Sequence, residues 1–167
     1  MTLTQHLILG FPAGVFLASL IEWQMHRVLH ARGRVRGTFW SFHFYTHHGV
    51  ARNHGFEDHT CGPRPRMILW TALGTAPVAW LAPGVALGVV ATAAAYWFIH
   101  KKAHHDPAWA LRWVPWHVEH HMAQNEEANW GVVTPWVDWI MGTRVPYLGT
   151  PRASELRPIA GQRPSQT

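Results

Sequence analysis

Residues Met67–Ile99 read MILWTALGTAPVAWLAPGVALGVVATAAAYWFI, a run without one charged side chain, interrupted near its middle by Pro83-Gly84. Each arm is about 16 residues, or ~24 Å at the helical rise, so the run reads as two helices that enter a bilayer and return. A buried hairpin of a soluble domain is the competing interpretation. It fails on coverage, because two apolar arms and a further apolar run near the N-terminus leave a chain of 167 residues with little amphipathic helix to enclose them.

That further run is Leu7–Ile21, LILGFPAGVFLASLI, which leads into Glu22 and Trp23. It is shorter than the ~20 residues of a usual span, but Thr4–Trp23 reaches that length with its polar ends at the interface. It has neither the basic leader nor the small-residue cleavage site of a secretory signal. The expected fold is therefore all-α, an integral-membrane helical bundle of about three membrane-embedded helices.

Charge placement gives an orientation. Arg27, Arg32, Arg34, Arg36, Arg52, Arg64, Arg66, Lys101, Lys102 and Arg112 follow the first segment or flank the open end of the hairpin, while the tip at Pro83-Gly84 carries none. The positive-inside tendency puts the N-terminus and the tip outside, and the loop His26–Arg66 and everything after His100 in the cytoplasm. Trp23, Trp70, Trp97, Trp113, Trp116, Trp136 and Trp139 fall near the expected borders, where interfacial anchors belong. Residues 1–150 read as one domain. The stretch 151–167, PRASELRPIAGQRPSQT, has little to bury and reads as a disordered tail.

The composition limits the chemistry. There are 14 histidines, 11 tryptophans and one cysteine, and the formal charge is +5. Cys61 alone excludes an intramolecular disulfide and a multi-cysteine zinc site, so imidazole must do any metal chemistry. The basic residues form no stripe interleaved with exposed aromatics, which argues against nucleic acid as a partner.

Ten histidines fall into four clusters, His26/His30, His43/His47/His48, His100/His104 and His117/His120/His121. Residues at i and i+4 share one helical face, so each of the first three clusters can aim a pair of imidazoles at one point, and the last can aim three. Protonated together these side chains would repel; neutral and together they suit a bound cation. Four ligands close a structural zinc site, whereas ten suffice for two metals with open positions. The fold is thus expected to carry a cytoplasmic, histidine-rich di-metal cap. His105 follows His104 and points about 100° away, which makes it a weaker ligand. His54 and His59, in ARNHGFEDHTCGP, either orient ligands or line a polar loop at the mouth of the site.

In this order, and interleaved with membrane hairpins, the clusters resemble the fatty acid hydroxylase / sterol desaturase superfamily of integral-membrane di-iron oxygenases. The closing stretch Trp116–Thr143, WHVEHHMAQNEEANWGVVTPWVDWIMGT, is similar to that of fatty acid 2-hydroxylases, and the similarity covers about residues 20 to 145. The first pair has three intervening residues where the family usually has four, and the second cluster three where two are common.

The resemblance implies that the ten histidines hold two iron ions, with zinc possible in purified protein, and that dioxygen is a co-substrate for hydroxylation or desaturation of a lipid C–H bond. A fatty acyl substrate is favoured by the closing motif; carotenoid and sterol substrates belong to the same superfamily. An aliphatic C–H bond offers nothing to an acid, base or nucleophile, which fits a redox metal held by imidazole. The chain has no flavin, haem or iron–sulfur motif, so a separate electron donor is expected, of ferredoxin or cytochrome-b type; Arg32, Arg34, Arg36, Lys101 and Lys102 either dock it or serve only as positive-inside charges. Glu119 is expected to hydrogen-bond an imidazole or to be solvated, Asp138 to lie behind the site, and Asn129 belongs to the closing motif. A non-enzymatic membrane metal-binding protein is the alternative from another class. Transport is disfavoured because the apolar hairpin carries no histidine or charge to relay an ion.

Overall fold

The computed structural model describes residues 2–38, 40–62 and 65–160. Arg64, used in the orientation argument, and residues 161–167 of the expected tail lie outside the described residues, as does the side chain of Arg66. The chain is all-helical. Helix α1 is Leu3–Gly33, followed by a π-helical turn at Phe42–His48, then α2 (Gly49–Asn53), α3 (Pro65–Leu81), α4 (Pro83–His105), α5 (Pro107–Trp113), α6 (Pro115–Met122), α7 (Trp136–Ile140) and a 3₁₀ turn at Pro151–Glu155. Among the described residues no strand forms, and Ala123 and Leu156 make an isolated antiparallel bridge.

α1 and α4 are long and apolar enough to cross a membrane; Met67–Leu81 is apolar but shorter. α1 starts from a capping box, in which Thr2 Oγ1 accepts from the Gln5 N–H and Gln5 Oε1 from the Thr2 N–H. Between α3 and α4 a single non-helical residue, Ala82, suffices for the break, because Pro83 occupies the first position of α4, where no N–H is needed. Both long helices run past the apolar limits read from sequence. α1 continues through His26 and His30, and α4 through His100 and His104. Polarity marks where the lipid-facing surface stops, but helical hydrogen bonding continues as long as the turns beyond find partners in the cap.

α1 and α4 lie side by side and point the same way. Gly84 packs against the backbone of His6 and Leu7, and Gly88 against Phe11 and Gly14. A Cβ on Gly14 would stand 2.1 Å from the Val85 carbonyl oxygen, so only glycine permits this approach. The N-terminus and the α3–α4 turn therefore share one end of the molecule and the ten clustered histidines the other.

The cap has its own core of Phe56, Ala103, Ala110, Val114, Val118, Met122 and Ile159, and Trp23, Trp130 and Val137 form a second cluster beside α1. The stretch expected to be disordered is instead part of this cap as far as Ala160. Ile159 is buried, the Arg157 N–H donates to the Met122 carbonyl, and the Ala160 N–H donates to Gly55. The Pro and Arg content suggested nothing to bury, yet the two apolar side chains Leu156 and Ile159 are enough to seat it.

Candidate metal centre

Eight of the ten candidate ligands assemble into two groups of four. His26, His30, His48 and His120 form one, and His47, His100, His104 and His121 the other. Within each group every residue offers a ring nitrogen and these lie within 4.8 Å of one another; all eight side chains are buried. α1 supplies a pair to the first group and α4 a pair to the second. The remaining four are two sequence-adjacent pairs, His47-His48 and His120-His121, and each pair divides between the groups.

Adjacent side chains on a helix point about 100° apart, so each pair straddles the two groups, His120-His121 on α6 and His47-His48 on the π-helical turn. The segment was expected to pair His43 with His47 at i, i+4, as an α-helix would. In the π-helical turn the His43 ring lies 5.0 Å from that of His48 and 5.4 Å from that of His47, so it sits beside both. His43 stands beside the first group, 4.9 Å from the His26 ring, and His117 beside the second, with its Nε2 3.2 Å from that of His104. All ten histidines thus converge on one centre, eight within the two groups and two flanking them.

The donor set fits metal ions. Ring nitrogens of His26, His30, His47, His100, His120 and His121 are buried without a hydrogen-bond partner, which is costly unless something else satisfies them. His30 Nε2 and His48 Nε2 are 3.0 Å apart; two imidazoles bound to one ion at ~2.1 Å stand about 3.0–3.4 Å apart at angles between octahedral and tetrahedral. Four Nδ1–H groups donate away from the centre: His26 to the Trp130 carbonyl (2.6 Å), His47 to Asp58 Oδ2 (2.7 Å), His104 to the Phe56 carbonyl (2.8 Å) and His120 to the Ala128 carbonyl (2.7 Å). Each fixes the tautomer that leaves the Nε2 lone pair facing inward. Burial, and then the neighbouring imidazoles, holds His43, His48, His117, His120 and His121 well below the usual histidine value, so these rings are neutral at neutral pH. Neutral imidazole is the ligand form.

Two backbone positions orient these rings at a conformational cost. Phe56 (φ 86°) and Asn129 (φ 60°) adopt the left-handed region that side chains other than glycine rarely enter. Phe56 turns its carbonyl onto His104 and stacks its ring on it at 4.3 Å. Asn129 lies between the two residues whose carbonyls hold His120 and His26, and its side chain bonds both the N–H and the carbonyl of Val145. Asp138 braces the same loop, accepting from the Trp130 and Gly131 N–H groups and the Thr143 hydroxyl.

Glu119 takes neither expected role. It is buried and ion-pairs with Arg144, and it accepts from the N–H groups of Tyr147 and Leu148, which ties the closing segment to the ligand helix. His105 stacks edge-on against His59 outside both groups, and His54 donates to its own helix at Val50. Three features had not been singled out in the sequence. The Asp58 contact lies in the segment expected either to orient ligands or to line a polar loop, and it is Asp58 rather than His54 or His59 that orients one. The carbonyls of Phe56, Ala128 and Trp130 leave no side-chain signal. Tyr96 stacks on His100 at 5.2 Å and 9°, and its position one turn before that ligand was the available clue.

Residues 11–143 match the model of the fatty acid hydroxylase family. The chain belongs to that family. No curated protein matches it, and no solved structure does. A hydroxylase family and two histidine groups able to bind metal ions together fit a metal-dependent oxidoreductase, and the two apolar helices fit a membrane protein.

Proposed function

We propose that this member of the fatty acid hydroxylase family is a multi-pass membrane di-iron oxygenase that hydroxylates or desaturates a lipid, with a fatty acyl chain as the preferred substrate. The observation that carries the reading is the pair of buried four-histidine groups at the shared end of two membrane-length helices. Two irons held there would supply the oxidising power, with dioxygen and external electrons, that an unactivated C–H bond requires. The chain's own part is to fix the imidazoles of the two groups, to keep water from the centre, and to present the site at the membrane boundary, where a lipid chain reaches it along the helices.

The centre faces the cytoplasm in this reading, following the positive flanks, and α3 serves as the third membrane-embedded helix. Electrons arrive from a ferredoxin or cytochrome-b-type protein on the basic rim. Arg34 is engaged by Glu127 and Lys102 by Asp106, so that docking face is less charged than the sequence count suggests. The test is elemental analysis of detergent-purified protein with an absorption spectrum, followed by product analysis with acyl lipids and a reducing system. The expected result is close to two irons per chain, no haem band, and an oxidised acyl product. Metal-free protein that stays metal-free on iron addition refutes the reading.

A further inference from the structure

After Trp130, whose carbonyl holds His26, the chain does not stay in the cap. The N–H groups of Val132 and Val133 donate to Glu22, one turn below His26 on α1. The Trp136 ring then stacks on Phe16 at 4.9 Å and 27°. Phe16 is ten residues before His26, or ~15 Å further down α1 at the helical rise. The segment returns where Thr143 Oγ1 accepts from Trp23 Nε1 at 3.0 Å. Residues 132–143 therefore descend along a membrane-length helix and come back.

The outer surface of this excursion is apolar and open. Trp139 is 63% and Ile140 67% exposed, with Met141 beside them, and on α1 the exposed Phe16, Leu17 and Ile21 continue the same kind of surface. Its backbone is wired for a medium without water. Glu22 takes the Val132 and Val133 N–H groups, the Trp139 N–H donates to the Pro135 carbonyl and the Met141 N–H to that of Val137, and the Thr143 and Arg144 N–H groups turn back to the Asp138 carbonyl. Donors in contact with water need no such acceptors, whereas irregular backbone at membrane depth is tolerated only when satisfied internally.

We propose that residues 132–143 form a re-entrant loop that enters the acyl layer of the bilayer beside α1, with Trp139, Ile140 and Met141 against lipid chains. This rests on the membrane reading of α1 given above. The loop is a third kind of membrane contact, next to the spanning helices and the cap. It hangs from the ligand His26 through Trp130, so that lipid meets the molecule on an element joined directly to the metal centre.

The test places a single environment-sensitive fluorophore at Ile140→Cys in a Cys61→Ser background, in metal-loaded protein reconstituted into phosphatidylcholine vesicles. Ile21→Cys serves as the reference on α1 and Glu127→Cys, an exposed cap residue, as the aqueous one. Ile140 is at the surface, so its substitution leaves folding intact, checked by metal content. The expected result is quenching at 140 by brominated acyl chains with loss of quenching by aqueous iodide, as at 21. Iodide quenching like that at 127 overturns the proposal, and so does protection from both quenchers, which would mean a protein contact. Aqueous quenching at 21 as well would overturn the membrane reading itself, a distinguishable failure.

Discussion

Asp58 Oδ2 accepts the Nδ1–H of His47 at 2.7 Å, and both side chains are buried. His26, His104 and His120 rest on backbone carbonyls instead. Burial alone would raise the Asp58 carboxyl, but the hydrogen bonds from His47 and from the Thr60 hydroxyl and N–H outweigh it and hold it well below its ordinary value. A fixed negative charge behind the ring makes the inward nitrogen a stronger donor.

Asp58→Asn should therefore weaken metal binding at the group of His47, His100, His104 and His121 by about 10- to 100-fold, with little effect on the other group. Chelator competition on zinc- or cobalt-loaded protein reads this as early loss of one metal. Equal retention of both metals by the variant and the parent would refute it.

His120 and His121 are neighbours in sequence and belong to different groups. Replacing either with Ala should leave about one tightly held metal per chain and abolish turnover, while the double variant should hold none. His54→Ala, at an exposed ring bonded to Val50, should change neither. Elemental analysis of the four proteins decides between two separate sites and one merged site, since a merged site would lose everything in either single variant.

The folded values of His43, His48, His117, His120 and His121 are depressed, chiefly by burial and next by the adjacent imidazoles. Below about 6.5 the unfolded chain takes up protons at these positions and the folded chain does not, so stability falls as pH falls. Each ring contributes up to about 1.4 kcal/mol per pH unit inside that window. Melting of metal-free protein should be insensitive to pH above about 7 and drop steeply from 6.5 to 5. A flat profile across that range would show that the rings are not buried neutral.

The helices and the histidine clusters that meet at the centre were legible because apolar runs and i, i+4 spacing are local signals. The assignment of ligands to groups was not. Which group each of His47 and His48, or His120 and His121, joins depends on how α1, α4 and the cap pack around them, which spacing along one helix does not reveal. Glu119 sits among ligands in sequence, yet its carboxylate points to Arg144 and the 147–148 backbone, a contact between segments that spacing cannot reveal. The tail misled for a related reason, since composition averages hid Leu156 and Ile159.

Each group takes two of its four histidines from a different long helix, so the spacing of α1 and α4 contributes to the spacing of the groups. That spacing is fixed far from the metals, where a Cβ on Gly14 would meet the Val85 carbonyl oxygen at 2.1 Å and one on Gly84 the His6 carbonyl oxygen at 2.1 Å. Neither contact is with a flexible side chain, so the helices must part. Gly14→Ala should cost ~1–3 kcal/mol of stability, the range for overpacking, and should also lower metal occupancy although it lies more than ten residues from His26. Gly74→Ala is the control, because nothing lies within 4 Å of its Cβ position in α3; there the helical preference for Ala should leave stability unchanged or slightly raised. Thermal melting in detergent with parallel metal analysis tests both. Gly14→Ala with full metal occupancy would mean that the cap holds the groups in register without help from the buried helix pair.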